Sequence, residues 1–199
     1  KTNNTREWFH ANKDRYLRDI KEPAQAFIAD FAPYLAKISP HFRSDPRPVG
    51  GSLFRIYRDV RFSKDKSPYK THAGLHFRHE AGKDAFTPGF YLHLEPHRCF
   101  AGVGLWHPDG PTLRKIRERV AERPETWKTA VGEPDFDSAF TVEGDHLKRP
   151  PKGFDPDHEL VEVLKFKDFT AMAKLTQEQV ISGKFIEEFA TLCRAGGSL

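Results

Sequence analysis

The sequence predicts an α+β fold in which an antiparallel sheet of about four or more strands is packed by N-terminal and C-terminal helices. Apolar residues recur at helical spacing near both ends of the chain, whereas they alternate with polar residues between Leu53 and Trp106. Helices, then consecutive strands, then helices again is the element order of α+β domains. At 199 residues, 38% of them hydrophobic, the chain is long enough to bury a core, and we expect one domain over residues 1–199.

Two helices are expected before the sheet. Asn4 followed by Glu7 resembles a capping box, and the apolar spacing after it predicts a helix over about residues 5–20. A second amphipathic helix is expected to begin at Pro23, a residue that suits the first helical position. Pro33 is expected to kink or split this second helix, because proline lacks the amide donor that a helix interior needs.

Four strands are expected in the middle of the chain. The two-residue period predicts a first strand from Leu53 to Phe62 and three more over about residues 73–79, 89–95 and 99–106. Pro96-His97-Arg98 separates the last two strands and is typical of a hairpin turn.

The second half of the chain is expected to be mostly helix and loop. Gly110-Pro111 and Pro124 each stand where a helix can start, and residues 133–158 are rich in proline and glycine. A final amphipathic helix is predicted from Thr176 onward.

Positive charge is concentrated in one part of the chain. Residues 43–72 contain eight Lys or Arg and three Asp, a balance of +5, whereas the whole chain carries +4. A nucleic-acid footprint would spread basic residues along a face, so nucleic-acid binding is not favoured, although it stays open. The concentration favours either a local anion site or an internal network of ion pairs.

Arg58 is the first candidate in this part of the chain. In a regular strand its side chain lies between Ile56 and Val60 on the apolar face, where an unpaired guanidinium would cost several kcal/mol. We expect Glu95 as its partner, or Asp59 if the strand contains a bulge. The pair is either an architectural salt bridge or a support for a polar pocket.

The residues that follow lie where the first strand gives way to a turn. Arginine, lysine and tyrosine together suit a phosphate or a carboxylate, and a later charged loop adds Lys152. The alternative is a solvated turn in which Asp59 and Asp65 neutralise the cations. The sequence has no phosphate-binding glycine loop, and we expect no cofactor. The anion-site candidates of this turn and loop are Arg61, Lys66, Tyr69, Lys70 and Lys152.

His93 and Glu95 share one face of a predicted strand, so they are the candidate general acid or base if the protein is an enzyme, which the sequence leaves undecided. A His/Glu metal site is conceivable there, but the spacing is not diagnostic, and we expect no metal. Phe100, Gly102, Gly104 and Trp106 alternate on a neighbouring strand and predict a trough that holds either a helix or a ligand.

Four segments carry a resemblance to a known family. They are residues 3–9, 58–70, 89–96 and 147–154, and the most specific is Arg-Asp-Val-Arg-Phe-Ser-Lys-Asp-Lys-Ser-Pro-Tyr-Lys, residues 58–70. On these motifs the chain resembles domain of unknown function family 2461 over nearly its whole length. The resemblance implies a single α+β domain and no known reaction, cofactor or catalytic residue.

The leading functional hypothesis is a pocket for a phosphorylated or carboxylated small molecule, built by the basic candidates with Glu95. The alternative is a non-enzymatic protein whose charges form an internal salt-bridge network, or dock an acidic partner or nucleic acid. No apolar run approaches the ~20 residues of a membrane span, so we expect a cytoplasmic protein without a membrane partner. Cys99 and Cys193 lack disulfide or zinc spacing, and the sequence does not decide the oligomeric state.

Overall fold

One antiparallel sheet organises the protein, whose computed structural model describes residues 3–82 and 86–199. Its strands lie in the order β1-β2-β3-β5-β4, and every neighbouring pair is antiparallel. The α+β class and the strands predicted near residues 73, 89 and 99 are confirmed. The strands are β1 (Ala73–Arg78), β2 (Gly89–Glu95), β3 (Arg98–Leu105), β4 (Thr141–Glu143) and β5 (Phe169–Leu175).

Helices precede and follow this sheet. Before it lie α1 (Arg6–Ala11), α2 (Lys13–Tyr16), a π-helical segment (Leu17–Lys21) and α3 (Glu22–Ile38). After β3 come α4 (Gly110–Glu122), α5 (Pro124–Gly132), α6 (Pro134–Ala139), α7 (Val161–Leu164), α8 (Gln177–Ile181) and α9 (Phe185–Ala195), and a short 3-10 turn (Gly196–Ser198) follows α9. Among the described residues, no helix has the length and apolar character needed to cross a membrane.

Two helix predictions need correction. Pro33 does not split α3, because Phe31 and Leu35 on either side of it are buried in the core, and this burial compensates for one missing hydrogen bond. The helix expected from Thr176 is divided into α8 and α9. Thr176 does form the expected start, since it and Gln179 make a complete capping box.

The main hydrophobic core lies on one face of the sheet. Alternate side chains of β1 and β2, such as Leu75 and Leu92, project onto this face and are fully buried against α3 and α9. Phe31 of α3 and Phe189 of α9 meet there with their ring centroids 4.9 Å apart. Burial of each such side chain stabilises the fold by about 1.5–3 kcal/mol, so this face is committed to packing.

The strand predicted from Leu53 to Phe62 is wrong. This part of the chain forms only isolated bridges, between Leu53 and Leu75 and between Tyr57 and Tyr69. The second bridge pairs the segment with itself, because the Lys70 amide donates to the Ile56 carbonyl at 2.7 Å. Residues 54–72 therefore fold back on themselves beside the edge of β1, and we call them the covering segment.

The N-terminal helix is fastened to the covering segment. Thr5, rather than Asn4, caps α1 by accepting from the Trp8 amide. Asn4 instead pairs with the backbone of Tyr69, donating to its carbonyl at 2.8 Å and accepting from its amide at 3.1 Å. The side-chain amide thus links two parts of the chain that are 65 residues apart.

Candidate functional site

The second face of the sheet carries a depression lined by small residues. Strand register places His76, Tyr91, Gly102 and Met172 in one row across β1, β2, β3 and β5. In the next row, Gly89 lies opposite Gly104, which lies opposite Thr170. Because Gly102 has no side chain and nothing fills its place, this face has open space between larger residues.

This depression forms a cavity of about 570 Å³, which we call the sheet pocket. Sites for small molecules typically measure about 300–1,000 Å³ and combine apolar walls with a few polar groups. The trough predicted around Gly102 is thus a cavity rather than the seat of a helix. The lining residues are Phe54, Arg55, Lys70, His72, His76, Thr87, Gly89, Tyr91, His93, Phe100, Gly102, Val103, Gly104, Trp106, Thr170, Ala171 and Met172.

The two glycines of β3 have different roles in the floor. Gly104 has a φ of +110°, and a Cβ added there would lie 2.1 Å from the Phe169 carbonyl oxygen. A Cβ at Gly102 would meet nothing closer than the Tyr91 Cβ at 3.6 Å. Gly104 is therefore required by the backbone, whereas Gly102 leaves space that a side chain could occupy.

Lys70 and Arg55 supply the positive charge of the sheet pocket. The Lys70 ammonium is half-buried, 5.1 Å from the centroid of the Phe54 ring. Burial and the nearby Arg55 lower the pKa of Lys70 below its usual value. Within the described parts of the chain, neither side chain forms an ion pair with a carboxylate. The pocket therefore presents a desolvated cation beside a second positive charge.

Two histidines form a stack with Phe100 at one end of the pocket. The His93 ring lies 4.3 Å from the His72 ring and 4.5 Å from the Phe100 ring, measured between centroids. Burial, followed by the charges of His93 and Lys70, lowers the pKa of His72 to about 4. Burial also lowers the pKa of His93. Both imidazoles are therefore neutral at pH 7.

A line of polar contacts runs along β2 behind this stack. The Tyr91 hydroxyl lies 3.1 Å from His93 Nδ1, and His93 Nε2 lies 3.6 Å from Glu95 Oε2. Thr71 donates from its hydroxyl to Glu95 Oε1 at 2.8 Å. Burial raises the pKa of Tyr91 to about 12, so its phenol keeps its proton at neutral pH. The pocket is thus lined by a protonated phenol and a neutral imidazole, with a buried glutamate next in line behind them.

Of the basic candidates, the structure places Lys70 in the lining of the sheet pocket, together with the acid-base candidate His93. The expected pair of Arg58 with Glu95 is wrong. Arg58 Nη1 instead donates to Asp65 Oδ2 at 2.6 Å and to the Ser67 carbonyl at 3.1 Å. The reason is that residues around Arg58 fold back as a loop and do not lie in the sheet as a regular strand.

The other basic candidates lie elsewhere. Arg61 forms a forked pair with Asp59, with Nη2 to Oδ2 at 2.7 Å, and Lys66 donates to the Val60 carbonyl at 2.9 Å. Tyr69 is buried against Phe9, and Lys152 is exposed in the chain between β4 and α7. We call residues 58–67 the basic turn; its arginines bind the aspartates of the same turn.

Sequence reasoning did not assign Arg55, His72, His76 or Tyr91 to the site. His72, His76 and His93 do belong to the group of histidines that the sequence concentrates in the sheet region. The alternation of Tyr91, His93 and Glu95 was visible as well, but their neighbours depend on the covering segment. In the parts of the chain that the structure describes, no group of three His, Cys, Asp or Glu side chains could hold a metal ion.

A second cavity, of about 460 Å³, lies between the sheet and helices α4 and α5. Its walls are mainly apolar side chains such as Val120 and Trp127, and its cations Lys115, Arg119 and Arg123 are exposed at the rim. It lacks the buried imidazoles and the buried phenol of the sheet pocket. The sheet pocket is therefore the better candidate for a functional site.

Comparison with protein families gives a match over the whole chain. The model of a family described as a conserved hypothetical protein, DUF2461, matches residues 1–199. Searches of curated proteins and of solved structures give no significant match.

Proposed function

We propose that this chain, which belongs to the conserved hypothetical protein family DUF2461, binds a small molecule with an anionic group and a planar apolar body in the sheet pocket. The anionic group, a carboxylate or a phosphate, pairs with Lys70 and Arg55. The apolar body lies over the glycine floor and contacts Phe54, Phe100 and Trp106.

The observation that carries this proposal is the environment of Lys70. Its ammonium is half-buried beside Arg55, and both effects disfavour the charged form. An anion in the pocket would reverse this penalty, because it would pair with both cations in a partly dehydrated space. The pocket holds two like charges together, as expected where a ligand supplies the opposite charge.

The shape of the pocket supports a planar body. Gly102 leaves the floor of the pocket open, and strand glycines are often found where a ligand approaches closely. Aromatic rings stack favourably on planar groups, and Phe54 and Phe100 provide such rings. A flat ring system therefore fills the cavity better than a branched polar molecule.

Binding of the fluorescent anion anilinonaphthalene sulfonate tests the proposal. Lys70→Met is expected to weaken binding at least about tenfold, since a charge-assisted contact contributes about 1.5–3 kcal/mol. Gly102→Val is expected to weaken binding by filling the pocket. The control Lys64→Met removes an exposed cation of the basic turn and should leave the affinity unchanged.

Displacement of the probe identifies the anionic group. Benzoate, phenyl phosphate and neutral benzyl alcohol present the same ring with different substituents, so the stronger of the two anions names the preferred group. Equal affinity of the Lys70→Met and Lys64→Met variants would overturn the proposal, as would stronger displacement by benzyl alcohol than by either anion.

The basic turn favours the alternative, a structural role, for its own charges. Arg58 and Arg61 bind Asp65 and Asp59 within the turn, and Lys66 binds a backbone carbonyl. Arg58→Met should therefore lower the melting temperature and leave binding of the sulfonate probe unchanged. Loss of probe binding in this variant would place the basic turn in the ligand site.

A further inference from the structure

We infer that Tyr91, His93 and Glu95 form a proton relay that opens into the sheet pocket, with the Tyr91 hydroxyl as the group that exchanges a proton with the bound molecule. This inference rests on the proposed binding function and adds a chemical activity to it. The ligand class is thereby narrowed to anions of weak acids. Such acids include a phenol, an enol and a protonated phosphate.

The relay is built by strand geometry. Residues two apart on a strand project to the same side, so Tyr91, His93 and Glu95 of β2 follow one another on the pocket face. Tyr91 Oη is 3.1 Å from His93 Nδ1, and His93 Nε2 is 3.6 Å from Glu95 Oε2. His93 and Glu95 are buried, with 8% and 10% of their side chains exposed. The part of the line formed by His93 and Glu95 is therefore shielded from bulk water.

The partners of His93 define its tautomer. Glu95 presents a carboxylate to Nε2, so Nε2 carries the hydrogen, and Nδ1 accepts from the Tyr91 hydroxyl. His93 Nε2 is buried, and among residues 3–82 and 86–199 it has no acceptor within ordinary hydrogen-bond distance. The contact of 3.6 Å shortens to a hydrogen bond through a small ring rotation, which the positive charge of an imidazolium would favour.

The proton balance of the relay is simple. A ligand group X–H gives its proton to Tyr91 Oη while Tyr91 gives its own proton to His93 Nδ1. The X–H bond and the original Tyr91 O–H bond break, and new O–H and N–H bonds form. The imidazolium is stabilised by Glu95, and the new anion X⁻ by Lys70. The reverse sequence returns a proton to the ligand.

Tyr91 is the contact point because both nitrogens of His93 face other residues of β2. Nδ1 faces the phenol and Nε2 faces the carboxylate, whereas the Tyr91 oxygen has lone pairs available to a ligand in the pocket. His93 and Glu95 thus act through Tyr91 as positioning residues.

The surroundings keep His93 in its neutral form, the form that can take up a proton. Burial, together with the charge of Arg98, lowers the pKa of His93, while Glu95 opposes this effect. His72 faces the other side of the ring, with Lys70 acting on His72 in turn. Burial also keeps Tyr91 protonated, so it transfers protons without being a free phenolate.

Binding of p-nitrophenol tests the relay, because the absorbance of this probe distinguishes the phenol from the phenolate. At a pH one unit below the pKa of the free probe, equilibrium dialysis gives the total amount bound and absorbance gives the ionised part. We expect the pKa of the bound probe to fall by at least about one unit, a tenfold change in the ratio of the two forms. Tyr91→Phe should still bind the probe but return its ionised part toward the level of the free probe.

Tyr57→Phe is the matched control, since Tyr57 is exposed, lies outside the residues that line the sheet pocket and should leave the ionised part unchanged. An unchanged ionised part in Tyr91→Phe would overturn the relay and leave the binding function intact. Absence of any binding to the wild-type protein would instead overturn the proposed binding of planar anions.

A ligand-free measurement keeps the relay testable in that case. Nitrogen NMR of the histidine side chains should find His93 protonated on Nε2, and Tyr91→Phe should shift the Nδ1 resonance. A hydrogen on Nδ1 in the wild-type protein, or an unaltered Nδ1 resonance in the variant, would contradict the proposed direction of transfer.

Discussion

The basic turn and the two cations of the sheet pocket, Arg55 and Lys70, all belong to the covering segment, yet the two regions treat charge in opposite ways. In the basic turn, Arg58 and Arg61 are both paired with aspartates; Arg61 is exposed to water and Arg58 is partly exposed. In the sheet pocket, Lys70 is half-buried beside another cation. In the part of the sequence richest in charge, the arginines are therefore neutralised by neighbouring aspartates. The candidate site is marked instead by Lys70, a cation that the fold places beside another cation.

The largest expected effect concerns the floor of the pocket. Gly104→Ala should lower the free energy of unfolding by about 2–4 kcal/mol, since it forces a strained φ and a clash with the Phe169 carbonyl. Gly102→Ala, its matched control, should change stability by less than about 1 kcal/mol. Urea unfolding measures both, and equal losses would show that the floor does not depend on the Gly104 backbone.

The next effect concerns the contact of Asn4, which precedes α1, with Tyr69 of the covering segment. Asn4→Ala removes both hydrogen bonds to the Tyr69 backbone and should cost about 1–3 kcal/mol. It should also weaken probe binding, because Tyr69 fixes the position of Lys70. Asn12→Ala removes two exposed bonds between near neighbours in the chain, one to the Trp8 carbonyl and one from Arg15, and should cost less. A larger loss of stability in Asn12→Ala would contradict the linking role of Asn4.

The two regions are expected to lose stability at different pH values, and the sheet pocket responds first as the pH falls. The pKa of His72 falls from 6.5 in the unfolded chain to about 4 in the folded protein, so the unfolded state binds the proton first and stability is lost as the pH falls across this window. After allowance for the partial exposure of His72, we expect the free energy of unfolding to fall by about 1–2 kcal/mol across this window. Thermal unfolding at several pH values measures the loss, and the His72→Gln variant should not show it.

The basic turn responds at lower pH. Hydrogen bonds from Ser67 and then Arg58 lower the pKa of Asp65 from 3.8 to about 2, so its contribution is present above pH 3.8 and is lost as the pH falls through about 2. Asp65→Asn should therefore have a lower melting temperature than the wild-type protein at neutral pH, and the two melting temperatures should converge near pH 2. A change in the pH 4 to 6.5 window instead would mean that the two regions are coupled.

The smallest effects concern single cations. Arg61→Met removes an exposed pair and should leave the melting temperature unchanged. Lys70→Met removes a desolvated charge and should raise the melting temperature slightly, while it weakens probe binding. A lower melting temperature for Lys70→Met would indicate that Lys70 serves the fold.

Strict alternation made β1, β2 and β3 predictable, and Pro96-His97-Arg98 located the turn between the last two. β5 was missed because its inward residues Ala171 and Ala173 are small and give little alternation in hydrophobicity. β4 was missed because it has only three residues and lies in a proline-rich region.

The site was predictable only in part. The glycine trough of β3 and the His93–Glu95 face follow from local patterns, and both belong to the pocket region. Arg55 and His72 could not be assigned, because their place depends on how residues 54–72 fold back. The same fold explains why the expected Arg58–Glu95 pair was wrong, since alternation cannot show whether an extended segment joins the sheet or pairs with itself.

The link between Asn4 and Tyr69 also bears on the order in which the protein folds. A contact across 65 residues closes a long loop, so it is expected to form late, after the local hairpin of β2 and β3. Until then the outer edge of β1 lacks its bridge from Leu53 and can pair with another chain. An early folding species without the covering segment is therefore the one most exposed to aggregation, and the contact of Asn4 with Tyr69 opposes a return to it.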